Sequence, residues 1–177
     1  MKIHCLPIFL VGMMGAGKTT LGQHLANVSN SEFLDLDQEI ENRLMIKIST
    51  LFKIQGEKEF RRQESLILQE YINKKNSIIS TGGGIVLSSD NRSFLKKYGT
   101  VIYLKSNLDE LFYRVKNDQN RPLLATVNPY QTLKELLNFR ENFYTEVADL
   151  IIDTSKLSEK EAIQFLFSIL KILGKFK

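Results

Sequence analysis

One eight-residue segment limits the possible folds of this chain more than any other feature. Residues 12–19 read Gly-Met-Met-Gly-Ala-Gly-Lys-Thr and fit G-x-x-x-x-G-K-[ST] in full, between a predicted strand and a predicted helix. In such a loop the backbone N–H groups surround a phosphate chain, and the helix N-terminus adds partial positive charge. We expect Lys18 to reach the β- and γ-phosphates of a nucleotide and the Thr19 hydroxyl to ligate Mg²⁺.

Two other interpretations of this segment are weaker. A glycine-rich turn with an unrelated lysine would not require both flanking elements. A dinucleotide site would need G-x-G-x-x-G, whereas the chain has G-x-x-G-x-G followed by Lys-Thr.

Short apolar segments alternate with longer amphipathic ones along the chain. This alternation is typical of parallel β-α units, and the Ile, Val and Leu content of the short segments is typical of strands covered on both faces. Strands are predicted at Leu6–Val11, Glu32–Leu36, Ser77–Ser80, Thr100–Leu104 and Leu150–Asp153. The pattern therefore predicts an α/β fold.

Three segments outside the strands also carry predictions. A long helix is predicted over Glu57–Lys75, and a polar, mobile loop over Asn117–Pro129. In the last helix Ser158 and Glu161 fit a capping box. Its apolar stripe, which we interpret as core packing, comprises Ala162, Phe165, Leu166, Ile169, Leu170 and Leu173.

Length and composition favour a single soluble domain over residues 1–177, because 177 residues leave no room for a second domain of ordinary size. The net charge of +4 suits a small anionic ligand and does not indicate nucleic acid. With Cys5 as the single cysteine, no intramolecular disulfide is expected, and a cytoplasmic location is the simplest. His4 and His24 have no partners at ligand spacing, so we expect structural roles for both.

No membrane or secretory segment is expected. No apolar run approaches the roughly 18 residues of a spanning helix. The run Cys5–Val11 is short, contains Pro7 and leads directly into the phosphate loop, so cleavage of a leader there would remove the main motif.

Two aspartates follow the second predicted strand. Asp35 and Asp37 are two residues apart, so in an extended run their side chains would share one face at the strand end, where ligands of such sheets bind. They could bind metal, hold a hydroxyl or cap the next helix, with Asp37 as a plausible N-cap. Because Ser77–Ser80 runs into glycines with no acidic residue, Asp35 is the nearest candidate for the metal.

Arginines and glycines supply the remaining candidates. Arg61 and Glu64 are three apart on one helix face and could simply form an ion pair. A lone arginine such as Arg140 usually lies on the surface. Gly82–Gly84 after a strand allow close approach of a ligand or only a flexible turn. Arg121, in the predicted loop, could act on the transferring phosphate as part of a lid.

Taken in order, five segments of the chain resemble shikimate kinases. They are the phosphate loop, Phe33-Leu34-Asp35-Leu36-Asp37, Phe60-Arg61-Arg62-Gln63-Glu64, Ser80-Thr81-Gly82-Gly83-Gly84 and Arg121-Pro122-Leu123-Leu124. Each is common alone, but the ordered set, from about residue 8 to 155, is specific. The resemblance implies a three-layer P-loop kinase of the nucleoside monophosphate kinase type. In that fold helices flank a five-stranded parallel sheet of order 2-3-1-4-5, and a mobile lid is attached.

The resemblance also implies an activity: transfer of the γ-phosphoryl of ATP to the 3-hydroxyl of shikimate, giving shikimate 3-phosphate and ADP in chorismate and aromatic amino-acid biosynthesis. Mg²⁺ would be required, and the enzyme would be a monomer with no nucleic-acid or membrane partner. The acceptor-binding region would lie at about 33–62 and the lid at about 112–128.

Roles for individual residues follow from the same resemblance. Lys18, Asp37 and Arg121 would be catalytic, and Thr19 and Asp35 would serve the metal. The acceptor would contact Asp37, Arg61, Gly82, Gly83 and Arg140 between the aromatic walls Phe52 and Phe60. ATP would contact Gly15, Ala16, Gly17, Lys18, Thr19, Thr20, Arg114, Arg121 and Lys156. Thr19 stands where many members have serine, and Lys156 where an arginine is frequent.

The chemistry of these residues agrees with an anionic polyol as acceptor, because arginine binds a carboxylate bidentately and a carboxylate accepts from hydroxyls. The alternatives are a gluconate or nucleoside monophosphate kinase on the same scaffold, a nucleotide-dependent switch or nucleic-acid-binding ATPase, and an inactive adaptor. A nucleotide acceptor would need a base-recognition pocket, and a nucleic-acid-binding ATPase would need a basic stripe with interleaved aromatics. Neither feature is evident in the sequence. The intact Lys18 and Thr19 argue against the third.

Overall fold

The computed structural model describes residues 6–71, 74–118 and 121–175. Cys5 and His4 lie outside these residues. The strands are β1 Ile8–Val11, β2 Glu32–Asp35, β3 Ser77–Ser80, β4 Thr100–Lys105 and β5 Leu150–Asp153. The helices are α1 Lys18–Ser29, α2 Leu36–Leu44, α3 Ile48–Glu70, α4 Ser89–Tyr98, α5 Leu108–Val115, α6 Pro129–Val147 and α7 Glu159–Ile172.

The strands form one parallel sheet in the order β2-β3-β1-β4-β5. The fold class and strand order expected from the resemblance are therefore confirmed. Every residue of β1 and β3 is buried. Since successive side chains of a strand point to opposite faces, both faces of the sheet are covered.

The strand predictions agree with the structure to within two residues at each end. Leu6 lies outside β1, which begins after Pro7, a residue with no N–H to donate. The predicted strand through Leu36 was one residue too long, because Leu36 already begins α2.

Helix α2 packs on α3 and α1 on α7, while α4 and α5 both pack on α6. The predicted capping box of Ser158 and Glu161 is present at the start of α7. Its predicted apolar stripe is only partly right: Ala162, Leu166 and Leu170 are buried, whereas Phe165 and Leu173 are exposed. The buried positions recur every four residues, so the core-facing stripe is narrower than predicted.

The predicted start of the long helix at Glu57 is confirmed, because a break at Gly56 separates it from an earlier helical part that was not predicted, but the predicted end at Lys75 is too late. Helix α3 begins at Ile48, is interrupted at Gly56 (φ 78°, ψ 176°) and ends at Glu70. Gly56 adopts a backbone conformation that other residues avoid, which explains why the helical pattern restarts there.

The predicted loop after α5 contains some regular structure. A 3₁₀ turn covers Pro122–Leu124, and the Leu124 side chain is buried. At the end of the loop the Asn128 side chain accepts from the Gln131 N–H, and α6 begins at Pro129. Within the described residues, no helix is long and apolar enough to cross a membrane.

Candidate active site

Two adjoining cavities lie at the carboxyl ends of β1, β2 and β3. The larger has a volume of about 550 Å³ and the smaller about 260 Å³. The residues that line both are Met14, Thr19, Asp35, Asp37, Gly83 and Arg121. This shared wall makes the two cavities neighbours in which two bound molecules could meet.

The phosphate loop wraps one side of the smaller cavity. Gly12, Gly15 and Gly17 have φ values of 143°, 84° and 88°, which favour glycine. A Cβ on Gly12 would come within 2.5 Å of the Leu104 carbonyl oxygen. Of the residues predicted to contact a nucleotide, Gly15, Gly17, Lys18, Thr19 and Thr20 line this cavity, whereas Ala16 is buried and does not.

Lys18 Nζ is held by the loop itself. It donates to the carbonyl oxygens of Gly12 and Met13, both at 2.9 Å. Burial lowers the pKa of Lys18 to about 8, while the Asp37 carboxylate opposes that shift. The ammonium group is therefore still mostly charged near neutral pH and lies beside the smaller cavity.

Thr19, Asp35 and Ser80 bring three side-chain oxygens together at the strand ends. Thr19 Oγ1 donates to Asp35 Oδ2 at 2.7 Å and lies 3.4 Å from Ser80 Oγ. Asp35 and Ser80 are paired across β2 and β3. Ser80, which the sequence did not single out, stands at the strand end where no acidic residue is available.

Asp35 also starts α2, which corrects the prediction for the two aspartates. Its Oδ1 accepts from the N–H groups of Asp37 and Gln38, at 3.0 and 3.3 Å. Asp35, not Asp37, is the N-cap, and Asp37 lies in the first helical turn. The two carboxylates therefore do not share one extended run, although both line the two cavities.

This oxygen set fits a hard divalent cation. A hydroxyl, a carboxylate and a second hydroxyl are all hard donors. Among the described residues no group of three His, Cys, Asp or Glu side chains could hold a metal ion unaided. A cation here would therefore need further ligands from water or from a nucleotide's phosphates.

Asp37 lines both cavities and has one unused acceptor. Its Oδ1 is buried and has no hydrogen-bond partner in the described part of the chain. Burial raises the pKa of this carboxyl, reinforced by the nearby Asp35. The group is thus a more basic carboxylate than an exposed aspartate and can accept a hydrogen bond from a ligand hydroxyl.

Arg61 lines the same cavity and is fixed by two carboxylates of α3. Its Nη1 donates to Glu64 Oε2 at 2.8 Å, and its Nη2 to Glu57 Oε1 at 2.9 Å. The predicted ion pair of Arg61 and Glu64 is therefore present, and it lies at the site instead of on the surface. Sequence spacing gave no sign that Glu64 would be fully buried.

Glu64 is a fully buried carboxyl behind the larger cavity. Its Oε1 has no hydrogen-bond partner within the described residues. Burial raises the pKa of Glu64 to about 7, although the Arg61 guanidinium opposes the shift. Glu64 therefore exchanges its proton near neutral pH directly behind the larger cavity.

The three glycines after β3 are packed directly against these charged groups. A Cβ on Gly82 would come within 2.2 Å of Glu64 Oε1 and 2.9 Å of Asp37 Oδ1. A Cβ on Gly84 would come within 2.3 Å of the Arg61 guanidinium. The missing side chains thus make room for Arg61, Asp37 and Glu64, a constraint that a run of glycines does not reveal in sequence.

Arg140 reaches the site from α6 and is buried at 2% exposure, so the expectation that a lone arginine there lies on the surface is wrong. Its Nη1 approaches the Gly83 carbonyl oxygen at 3.4 Å, and its Nε has no partner in the described residues. Arg140 therefore has donors left for an anion in the cavity that it lines.

The remaining wall is partly aromatic. Phe52 and Phe60 lie with ring centroids 5.0 Å apart, and both line the larger cavity. Sequence reasoning missed a polar part of the same wall, which comprises Gln38, Glu41, Lys47 and Ser49. No motif identifies these four residues in the sequence. Only their position between the two aspartates and Phe52 indicates that they could line the same cavity.

Arg121 and Arg114 approach the phosphate loop from the α5 side. Arg121 lines both cavities, and its Nε donates to Asp118 Oδ2 at 2.8 Å. Arg114 Nη1 donates to the Gly15 carbonyl at 3.1 Å and lines the smaller cavity. Lys156 is exposed in the turn after β5 and does not line either cavity, so its contact with the nucleotide stays a prediction.

Comparison with known proteins identifies a consistent set of relatives. The family model for shikimate kinase matches residues 14–171. A shikimate kinase of Bordetella pertussis is 53% identical over 154 residues, covering 87% of this chain and 73% of that protein. A shikimate kinase of Nitrosospira multiformis is 47% identical over 165 residues, covering 93% and 85%.

Solved structures agree with these relatives. A shikimate kinase from Acinetobacter baumannii in complex with shikimate has a TM-score of 0.91 at 40% identity, covering 96% of this chain and 94% of that one. A gluconokinase from Sinorhizobium meliloti, with a TM-score of 0.64 at 15% identity, shares only the fold.

Proposed function

The chain belongs to the shikimate kinase family, and we propose that it transfers the γ-phosphoryl of ATP to the 3-hydroxyl of shikimate. The products are ADP and shikimate 3-phosphate, in chorismate and aromatic amino-acid biosynthesis. The smaller cavity takes the phosphate chain of ATP, and the larger takes the acceptor. The reaction takes place at their shared wall.

The observation that carries the acceptor assignment is the set of unused hydrogen-bonding groups at the larger cavity. Arg140 offers an unpaired Nε beside Arg61, and Asp37 offers an unpaired Oδ1. Buried polar atoms without partners are costly unless a ligand completes them. An acid that carries hydroxyls meets both needs: its carboxylate accepts from the arginines, and a hydroxyl donates to Asp37.

The walls of the cavity fit the same acceptor. Phe52 and Phe60 offer an apolar surface to the carbon ring, and backbone groups of Gly82 and Gly83 approach it closely. Glu64 and Glu57 fix the Arg61 guanidinium, so little ordering entropy is lost when the carboxylate binds. These contacts hold the acceptor hydroxyl toward the phosphate loop.

Catalysis is mainly alignment and charge neutralisation, because phosphoryl transfer demands little covalent chemistry from the protein. Lys18 and Arg121 neutralise charge on the transferring group. Asp37 orients the attacking hydroxyl, and its raised pKa also suits it to accept the proton as the new bond forms. Arg114 and Lys156 contact the nucleotide away from the reacting phosphate.

Mg²⁺ is the proposed metal. Thr19 would ligate it, with Asp35 acting through water and Ser80 beside them. When bound, the ion neutralises charge on the β- and γ-phosphates. The all-oxygen donor set at the strand ends supports this choice.

We further propose that the enzyme acts as a monomer in the cytoplasm, with no nucleic-acid partner, and that residues 1–177 form one kinase domain. Residues about 33–62 bind the acceptor, and about 112–128 act as a lid that excludes water. The first residues of this lid, up to Val115, are the last turn of α5.

An acceptor panel tests the activity. ADP release is measured with ATP and Mg²⁺ in the presence of shikimate, gluconate, each nucleoside monophosphate or no acceptor. Of these acceptors, we expect only shikimate to give rapid release of ADP. A higher kcat/KM with gluconate or a nucleotide would assign the chain to one of those activities instead.

A further inference from the structure

The triglycine segment Gly82–Gly84 needs an anchor from outside itself. Its lack of side chains makes room for Asp37, Arg61 and Glu64. The same lack leaves the backbone free to adopt many conformations, because glycine restricts φ and ψ least. A segment that carries acceptor contacts must nevertheless keep one conformation.

Two side chains of α6 provide this anchor. The Tyr144 hydroxyl donates to the Gly83 carbonyl oxygen, and Arg140 Nη1 approaches the same oxygen at 3.4 Å. These residues are four apart and therefore lie on one face of the helix. The Gly83 carbonyl is thus held by α6, while Gly83 itself lines both cavities.

The Tyr144 ring is itself held rigidly. It is fully buried and stacks on Tyr103, with centroids 5.0 Å apart and an interplanar angle of 27°. Its hydroxyl also lies 3.4 Å from Met13 Sδ in the phosphate loop. A ring fixed in this way can impose its position on a flexible glycine backbone.

We propose that Tyr144 is a positioning residue for the acceptor, which acts through the Gly83 carbonyl. The inference rests on the proposed function, in which Arg140 turns its donors to the acceptor carboxylate. Tyr144 then donates the hydrogen bond that holds the Gly83 carbonyl, because the Arg140 contact at 3.4 Å is longer than an ordinary N–H···O bond. Loss of its hydroxyl frees the glycine backbone and weakens acceptor binding, while the phosphate loop keeps its own hydrogen bonds.

The test compares Tyr144→Phe with the matched control Tyr103→Phe, which removes a hydroxyl from the other ring of the same stack. Steady-state kinetics give KM for shikimate and for ATP, and thermal melting reports folding. For Tyr144→Phe we expect the shikimate KM to rise about three- to tenfold, in keeping with the loss of one hydrogen bond. The ATP KM and the melting temperature should stay close to those of Tyr103→Phe.

A second readout follows the backbone directly. Hydrogen exchange of residues 82–84 in the empty enzyme should be faster in Tyr144→Phe than in wild type or Tyr103→Phe. Unchanged exchange and shikimate KM would overturn the proposal, and so would equal rises in the KM of both substrates. Wild-type turnover, measured in the same assay, reports separately on the proposed function, because its absence would refute the activity whatever the variants do.

Discussion

Arg61 and Glu64 form an ion pair, with Nη1 2.8 Å from Oε2, directly behind the larger cavity. Glu64 is fully buried, and Arg61 retains part of its surface toward the cavity. The pair therefore presents a fixed guanidinium to the acceptor site, and the carboxylate that fixes it is out of reach of water.

Replacement of Arg61 by lysine tests this geometry. Arg61→Lys keeps the charge but loses the planar fork that binds a carboxylate bidentately. We expect the shikimate KM to rise about tenfold or more and the ATP KM to change little. The control Arg62→Lys alters the neighbouring arginine, which pairs with Glu59 at the surface. Equal weakening of both substrates by Arg61→Lys would contradict the assignment.

The raised pKa of Glu64 predicts that the stability of the folded protein depends on pH. Its pKa is about 7 in the folded chain and 4.5 as the ordinary value, so the folded state holds this proton more tightly. The protonated Glu64 therefore stabilises the folded state fully below about pH 4.5, and this stabilisation is lost as the pH rises through 7. Relative to Glu64→Gln, the wild type should lose about 3 kcal/mol of unfolding free energy across that range.

Denaturation at several pH values measures this difference. Asp37, Arg61 and Arg140 also act on Glu64, and all three are kept in both proteins, so the comparison isolates the one carboxyl. A constant difference between wild type and Glu64→Gln from pH 4.5 to 8 would show that Glu64 does not titrate there.

Gly82→Ala should damage the acceptor site more than the nucleotide site. The new Cβ would lie 2.2 Å from Glu64 Oε1 and 2.9 Å from Asp37 Oδ1, so both carboxylates must move. We expect a loss of about 1–3 kcal/mol in stability and a large loss of shikimate affinity, measured by calorimetry, with ADP affinity retained. In the control Gly56→Ala no atom lies within 4 Å of the new Cβ, although its backbone is strained. Normal shikimate binding by Gly82→Ala would refute the packing argument.

Lys18→Ala should reduce kcat by about 10³-fold, because a full charge is removed from the transferring phosphoryl. Single-turnover measurements at saturating ATP and shikimate separate this effect from weaker binding. Lys160→Ala, which alters an exposed lysine of α7 outside both cavities, should retain most of the wild-type kcat. Near wild-type turnover by Lys18→Ala would remove the lysine from the mechanism.

Much of the fold and part of the site could be predicted from sequence because their signals are local. The phosphate loop is one continuous motif with the required strand and helix around it. The β-strands are predicted by short apolar runs in the sequence. The capping box of Ser158 and Glu161 lies within four residues. Each of these features depends on neighbours along the chain and little on the tertiary fold.

The missed features depend on contacts between distant segments. Tyr144 donates a hydrogen bond to Gly83, which lies 61 residues away in the sequence. Ser80 lies beside Asp35 because the two residues are paired in the register of β2 and β3. Asp35, and not Asp37, is the N-cap of α2 because β2 ends one residue earlier than its apolar pattern indicated. Burial of Glu64 and Arg140 likewise depends on how α3 and α6 pack beside the sheet.

A crystal structure of the enzyme with MgADP and shikimate tests the central claim most directly. We predict shikimate in the larger cavity, with its carboxylate within hydrogen-bond distance of Arg61 and Arg140 and a hydroxyl at Asp37 facing the phosphate loop. A shikimate molecule bound away from both arginines, or with its hydroxyls turned from the nucleotide, would contradict the account.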